Sequence, residues 1–239
     1  MSATAQVRPP LPIPPLCGGE RLSADEFMRR YESMPDKCKA ELIDGAVYMA
    51  SPVQVAGHSD EQALLVTLLG YYRNRTPGVR ASIDGTVRLG ESDVPQPDIH
   101  LRLEPECGGP RIGVDKYLAG APELAAEISN TSARYDLGPK LKAYQRHGVQ
   151  EYIVWRTKAP QAFHWFRLRA GVYERLAPDA EGIVRSEFFP GLWLAPAELF
   201  ADDAAAAQAT IERGVASPEH ATFVAELASR RNAAADAGG

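Results

Sequence analysis

Apolar and polar positions along the chain sort into short alternating runs separated by a few helical stretches. The alternation in Ile99, Leu101 and Leu103 sets these against Asp98, His100 and Arg102, which predicts a strand with one apolar face. LAAEI, ending in Glu127 and Ile128, reads as a short central strand that is apolar except for one carboxylate. Leu42-Ile43 and Val47-Tyr48-Met49 flank Asp44-Gly45, a strong hairpin signal. A second Asp-Gly, at Asp84-Gly85, predicts another hairpin or a bent strand. EYIVWR, AFHWFRLRAGVYERL, VRSEFF and LWL read as further strands, the later ones antiparallel and joined by Gly-containing turns.

Helical spacing appears in four places. Ser23 with Glu26 forms a capping box ahead of Phe27, Met28 and Tyr31. Leu64, Leu65, Leu68, Leu69 and Tyr72 mark a helix between His58 and Arg75, ended by Pro77-Gly78. Asp136 is placed as the cap of a helix with Pro139 in its first turn, Leu141 and Tyr144 facing inward and His147-Gly148 at its end. Ser217-Pro218-Glu219 starts a last helix whose Phe223, Val224 and Leu227 need a surface to cover, on this domain or on another subunit. Strands with helices inserted between them predict an α/β or α+β class with a mixed sheet. Residues 1–19, rich in Pro and Gly, read as a disordered arm, and the chain from 201 to 239 as an Ala-rich helical extension.

Composition narrows the function classes. The chain has 239 residues, 45% of them hydrophobic and 24% charged, which is enough to bury a core unaided. No apolar run is long enough to span a membrane, and the N-terminus lacks the pattern of a signal peptide. Three scattered cysteines, Cys17, Cys38 and Cys107, build neither a disulfide framework nor a zinc site, so a cytoplasmic location is expected. The formal net charge of −5 argues against a broad nonspecific coat on nucleic acid, but not against a local site that binds a cation.

The candidate chemistry lies between Val94 and Tyr144. Asp98 opens one strand, Glu127 sits late in the next, and Lys140 is in the first turns of the following helix. Two carboxylates and an ammonium on adjacent elements suffice for metal-assisted attack on a phosphodiester: one or two carboxylates are what Mg²⁺ usually takes from a protein. Plainer roles compete. Asp98 could close a turn, Glu127 could pair with Arg102 or Lys140, and Lys140 could be a surface lysine, with Lys142 as its rival on the opposite side of the helix. Glu41 could be an outer strand position, His58 a helix-start residue and His100 a sheet-surface residue. Arg134, Lys142 and Arg146 form a basic cluster, either a solvated face or a place for phosphate contacts.

Three segments, PQPDIHLRL, APELAAEIS and YDLGPKLKAYQRHGVQEYIVW, together with AELIDGAVYMASP and His58 upstream, resemble the Uma-type restriction-endonuclease family of the PD-(D/E)XK nuclease superfamily. The resemblance covers roughly residues 23 to 194 and lies in the order of the segments. It implies a restriction-endonuclease-like core, a mixed central sheet flanked by helices over residues 20–200, and Mg²⁺-dependent hydrolysis of DNA with Mn²⁺ able to substitute. It also implies metal on Asp98 and Glu127, a supporting Lys140, and site positions at Glu41 and His58. Ser129 stands where the superfamily lysine usually is, and SNTSAR replaces the Ser-Pro-Ser-Thr of many relatives. Cutting two strands is simplest with two sites, so a homodimer is expected. The alternatives are a non-cleaving nucleic-acid-binding or regulatory module on the same fold, and a scaffold working through the two termini.

Overall fold

The computed structural model describes residues 12–35, 39–49 and 55–237. Helix α1 (Ala24–Tyr31) starts on Ser23, whose hydroxyl accepts the Glu26 N–H. Only half of the expected capping box forms. The Glu26 carboxylate turns to Arg29 and Arg30, at 2.7 and 2.6 Å, instead of back to Ser23. Strands β1 (Ala40–Ile43) and β2 (Ala46–Met49) make the expected hairpin. Asp44 and Gly45 both have positive φ, 51° and 71°, as a two-residue turn of this hand requires.

A π turn (Val55–Ser59) leads into α2 (Asp60–Arg75), which buries Leu64, Leu65, Leu68, Leu69 and Tyr72. The second Asp-Gly resolves as a bend. Strand β3 (Val79–Ile83) joins the main sheet, while β4 (Val87–Arg88) leaves it for a small sheet with β6 (Arg111–Ile112) and β7 (Leu118–Ala119). Between these lies β5 (Ile99–Leu103), followed after the small sheet by β8 (Leu124–Ser129). A helical run then passes through α3 (Ala133–Tyr135), a π turn (Asp136–Lys140) and α4 (Leu141–Arg146). It begins ahead of the expected cap, so Asp136 lies inside the run and is buried. The remaining strands are β9 (Glu151–Arg156), β10 (Ala162–Arg169), β11 (Val172–Arg175), β12 (Val184–Arg185) and β13 (Trp193–Leu194). Helices α5 (Pro196–Phe200), α6 (Ala204–Val215) and α7 (Pro218–Ala237) close the chain.

The main sheet has six strands in the order β11-β10-β9-β8-β5-β3. Only β8 and β9 run parallel; the other neighbours are antiparallel. A parallel pair needs a crossover, and the helical run through α4 supplies it. The two faces of β8 then divide by alternation. Leu124, Ala126 and Ile128 join the large core under α2, α6 and α7, whereas Ala125 packs with Tyr144, Val149 and Tyr152 on the side of α4. Glu127 falls on the α4 side, where no aliphatic partner could accept a carboxylate without help.

The described residues at both ends, from 12 and up to 237, include segments that attach to this body. Of the arm expected over residues 1–19, residues 1–11 lie outside the described residues. Leu16 is buried with Phe27, Met28, Leu42 and Val47, and Gly19 N–H donates to Val47 O at 2.8 Å. At the other end, Phe223 and Leu227 of α7 enter the large core, and His220 Nε2 lies 2.9 Å from Thr76 Oγ1. The C-terminal helices therefore share a core with the sheet. Among the described residues, no helix is long and apolar enough to cross a membrane.

Carboxylates close both ends of the β5–β8 ladder. Asp98 Oδ2 accepts the Ile128 N–H at one end, and Glu123 Oε2 accepts the Leu103 N–H at the other, at 2.7 and 2.8 Å. Burial pushes the Glu123 carboxyl up from 4.5 to about 7. A carboxyl held higher in the folded chain than in the unfolded one stabilises the fold while protonated, and that contribution is lost as pH rises through the folded value. Wild-type thermal midpoints should therefore fall between pH 4.5 and about 7 in part through Glu123. Glu123→Gln, which keeps an acceptor for Leu103, is expected to flatten that slope in melts recorded across the same range.

Candidate functional site

One cavity of about 470 Å³ opens at the Asp98 end of the ladder. Its walls include Glu41, His58, Asp98, Glu127 and Lys140, all five of the residues singled out from the sequence, together with Tyr135. The sheet register explains the first convergence. Ile99 pairs with Ala126, so one further step sets Asp98 opposite Glu127 on the same face. Directly opposed residues of an antiparallel pair have Cβ atoms about 4.5–5.5 Å apart. Asp98 ends the ladder by replacing a backbone carbonyl with its own carboxylate, which takes the Ile128 N–H. His58 stands behind it, Nε2 3.6 Å from Asp98 Oδ2, while His58 Nδ1 is buried without a hydrogen-bond partner. The turn that carries His58 passes through Gly57 at φ 88° and is fastened where Thr157 Oγ1 donates to Gly57 O at 2.5 Å.

Lys140 completes the site from the crossover. Its Nζ lies 2.8 Å from Glu127 Oε1 and 2.8 Å from Glu41 Oε1. It is 2% exposed and Glu127 is 4% exposed, so this is an interior ion pair and not a surface one. The lysine reaches both because the π turn places it, with Asp136, on the buried side of the run. Lys142 is exposed on the far side and does not compete. Glu41 comes from a separate layer, the β1–β2 hairpin, and is held by the Gln96 N–H at 2.5 Å and the Tyr135 hydroxyl at 3.2 Å. Asp93 locks the two layers in register. Fully buried, it accepts from Asp44 N–H in the hairpin turn and pairs with Arg146 and His147 at the end of the helix.

The electrostatics follow from this crowding. Burial raises Asp98 above the usual carboxylate range, against the pull of Lys140, the Ile128 N–H and His58. Burial raises Glu127 further, helped by Asp98, Asp136 and Glu41 and opposed by Lys140. Asp136 is also raised by burial, although Lys140 and the hydroxyls of Ser132 and Ser129 oppose it. Burial works against the ammonium of Lys140, but Glu127, Glu41 and Asp136 outweigh it and hold the pKa well above that of a free lysine. The ammonium therefore stays charged, and four carboxyl groups crowd around it, three of them raised by burial toward the neutral form. That imbalance suits a cation.

The donor set also suits a hard cation. Asp98 and Glu127 offer carboxylate oxygens on rigid strands, the kind and number of protein ligands that Mg²⁺ takes when waters and phosphate complete its shell. Among the described residues, no group of three or more His, Cys, Asp or Glu side chains is arranged to hold a metal ion by itself.

Other expectations land elsewhere. Arg134, Lys142 and Arg146 are not on the cavity wall; the first two are exposed and Arg146 is committed to Asp93. His100 is buried, not on the sheet surface, and burial beside Arg102 lowers its pKa to about 4. Arg102 does not pair with Glu127; it donates to Ser82. The residues that sequence reasoning missed are those that fix the site groups. Gln96 acts through a backbone N–H that no side-chain pattern reports. Tyr135 and Tyr144 donate hydroxyls to Glu41 and Glu127, and Asp136 passed for a helix cap.

A family model described as "Putative restriction endonuclease", Uma2, matches residues 24–197. The chain belongs to the Uma2 family. Its match spans the hairpin, the sheet and the crossover, and ends within α5, so α6 and α7 lie beyond the matched region. The fold is similar to the crystal structure of a "putative nuclease belonging to DUF820" from Anabaena variabilis. That likeness has a TM-score of 0.55 at 18% identity and covers 73% of this chain and 97% of the other. At that identity it speaks for the fold alone, the mixed α/β sheet flanked by helices. No curated protein matches the chain.

Removing one partner from a buried ion pair commonly costs about 3–5 kcal/mol, because the remaining charge is stranded. Lys140→Met strands Glu41 and Glu127 together and is expected to lose that order of stability in urea denaturation without added cation. Lys142→Met should stay within about 0.5 kcal/mol of wild type, as exposed positions do.

Proposed function

We propose that this Uma2-family chain is a nuclease that hydrolyses phosphodiester bonds of DNA with the help of a divalent cation, Mg²⁺ or Mn²⁺, held by Asp98 and Glu127. The observation that carries the reading is the convergence of Asp98, Glu127 and Lys140 on one cavity from two opposed strands and the crossover between β8 and β9. The family description and the nuclease named among its structural neighbours support the reaction class.

In this reading Asp98 and Glu127 supply the oxygen ligands, from positions that the sheet register keeps opposed. A bound cation would supply Lewis acidity at the phosphoryl oxygen and a more acidic water. The Lys140 ammonium donates to a phosphate oxygen as negative charge grows there in the transition state, from a site where burial strengthens the interaction. His58 steadies the Asp98 carboxylate, leaving its orientation less free. Cutting both strands of a duplex is simplest with two copies of the site, so a homodimer belongs to the same proposal.

The test is supercoiled plasmid and labelled single- and double-stranded oligonucleotides incubated with the full chain and Mg²⁺ or Mn²⁺. Wild type should cut and EDTA should stop it. Asp98→Ala and Lys140→Gln should each lose about 10²–10³-fold in rate, the usual cost of removing one preorganised group from such a site. Equal cutting by wild type and Asp98→Ala would overturn the assignment. Binding of DNA without cutting of any substrate would do so as well, in favour of a non-cleaving module.

A further inference from the structure

The cavity poses a conflict that the proposed function does not resolve. Glu127 Oε1 already receives Lys140 Nζ at 2.8 Å and the Tyr144 hydroxyl at 3.2 Å. A cation drawn to that carboxylate, even through its other oxygen, would share it with the ammonium, and the two positive charges oppose each other there. If Lys140 had no other anchor, it would either hold Glu127 and exclude the cation, or be driven off the site that it is meant to serve.

We propose that Glu41 is a positioning residue that keeps Lys140 in the cavity while Glu127 is given up to a cation. The inference rests on the reading of Asp98 and Glu127 as cation ligands. Three observations support it. Glu41 Oε1 is at the same 2.8 Å from Lys140 Nζ as Glu127 is, so the ammonium can release one carboxylate without losing both. Glu41 is itself held by the Gln96 N–H on one oxygen and the Tyr135 hydroxyl on the other, so its place does not depend on Lys140 alone. It also belongs to a different layer from the ligands. The hairpin is tied to the segment before β5 by the Leu42–Val94 pairing and by Asp93, so Glu41 need not follow any adjustment of β8.

The discriminating experiment measures Mn²⁺ affinity of the full chain by calorimetry, with no nucleic acid and no turnover. Glu41→Asp keeps the charge and shortens the reach by one methylene. It should weaken Mn²⁺ binding about tenfold, inside the 5–150-fold range usual for coupled sites, because Lys140 then falls back on Glu127. Lys140→Met alone should tighten Mn²⁺ binding, by removing the competitor. In that background Glu41→Asp should change the affinity less than about twofold, since nothing remains for Glu41 to hold. Lys140→Gln replaces Lys140→Met if the latter does not fold, as judged by circular dichroism.

An equal loss on Glu41→Asp in both backgrounds would mean that Glu41 acts on the cation directly or through the hairpin's shape, and would overturn the inference. An unchanged affinity on Glu41→Asp in the wild-type background would overturn it too. Both results leave the cation reading intact. Mn²⁺ binding that is indifferent to Asp98→Ala, or absent in wild type, would instead remove the cation reading, and this inference with it.

Discussion

A single ammonium, buried between two carboxylates from different layers, is the constraint around which this fold is arranged. Lys140 binds Glu127 of the main sheet and Glu41 of the hairpin at equal distance. Glu127 and Lys140 are buried together, each offsetting the cost of desolvating the other, and Glu41 joins them from a half-buried position. Such an arrangement is a poor way to gain stability. Apolar side chains of the same volume would often serve as well or better, because desolvating the charges offsets much of their attraction. The large core under α2, with Leu65, Leu68, Leu69 and Tyr72 fully buried, already holds the sheet on its other face. The polar cluster is therefore better explained by chemistry than by mechanics, and its surplus of carboxyl groups is what the proposed cation-assisted reaction would use.

The supports around the cluster all limit motion. Asp98 spends one oxygen on the Ile128 N–H, which fixes its position at the end of the ladder. Tyr144 reaches Glu127, and Tyr135 reaches Glu41 while its ring packs at a tilt against Tyr48, centroids 4.2 Å apart. Asp93 ties the hairpin turn to the far end of α4. Side chains held this way keep their geometry when the charge around them changes, which is the condition for useful electrostatics in a reaction.

How much of this was legible in the sequence depends on whether the information was local. The period-two pattern placed Asp98 and Glu127 on strands, and the first Asp-Gly hairpin was legible because Asp44 and Gly45 themselves meet the turn's demand for positive φ. The same dipeptide at Asp84-Gly85 gave a bend, because β3 finds β5 and β4 finds β7, a choice made by distant partners. Asp136 read as a cap because Pro139 follows it closely, and proline is tolerated in a first turn. The chain instead widens into a π turn that accommodates Pro139 inside the run, and this buries both Asp136 and Lys140. Glu41 and His58 were reachable only by resemblance, since nothing in their own segments shows which element they will face. Gln96 was out of reach altogether, because its contribution to Glu41 is a backbone N–H.

The net charge of −5 then fits a narrower picture than it first suggested. A polyanion approaching this cavity meets Glu41, Asp98, Glu127 and Asp136 with only Lys140 set among them, while Lys39, also on the wall, is paired with Asp84 at 2.7 Å. The basic residues nearest in sequence, Arg134 and Lys142, point away from it. Attraction of phosphate by the protein's own charges is thus weak at the point where chemistry would occur. On the proposed reading, a divalent cation seated on Asp98 and Glu127 would offset much of that local negative charge, so affinity for the phosphate and competence to cleave it would arise together. If the proposed function holds, a site built in this way would have little hold on nucleic acid until it is loaded, and substrate capture would depend on the same two carboxylates that the sheet register brings face to face.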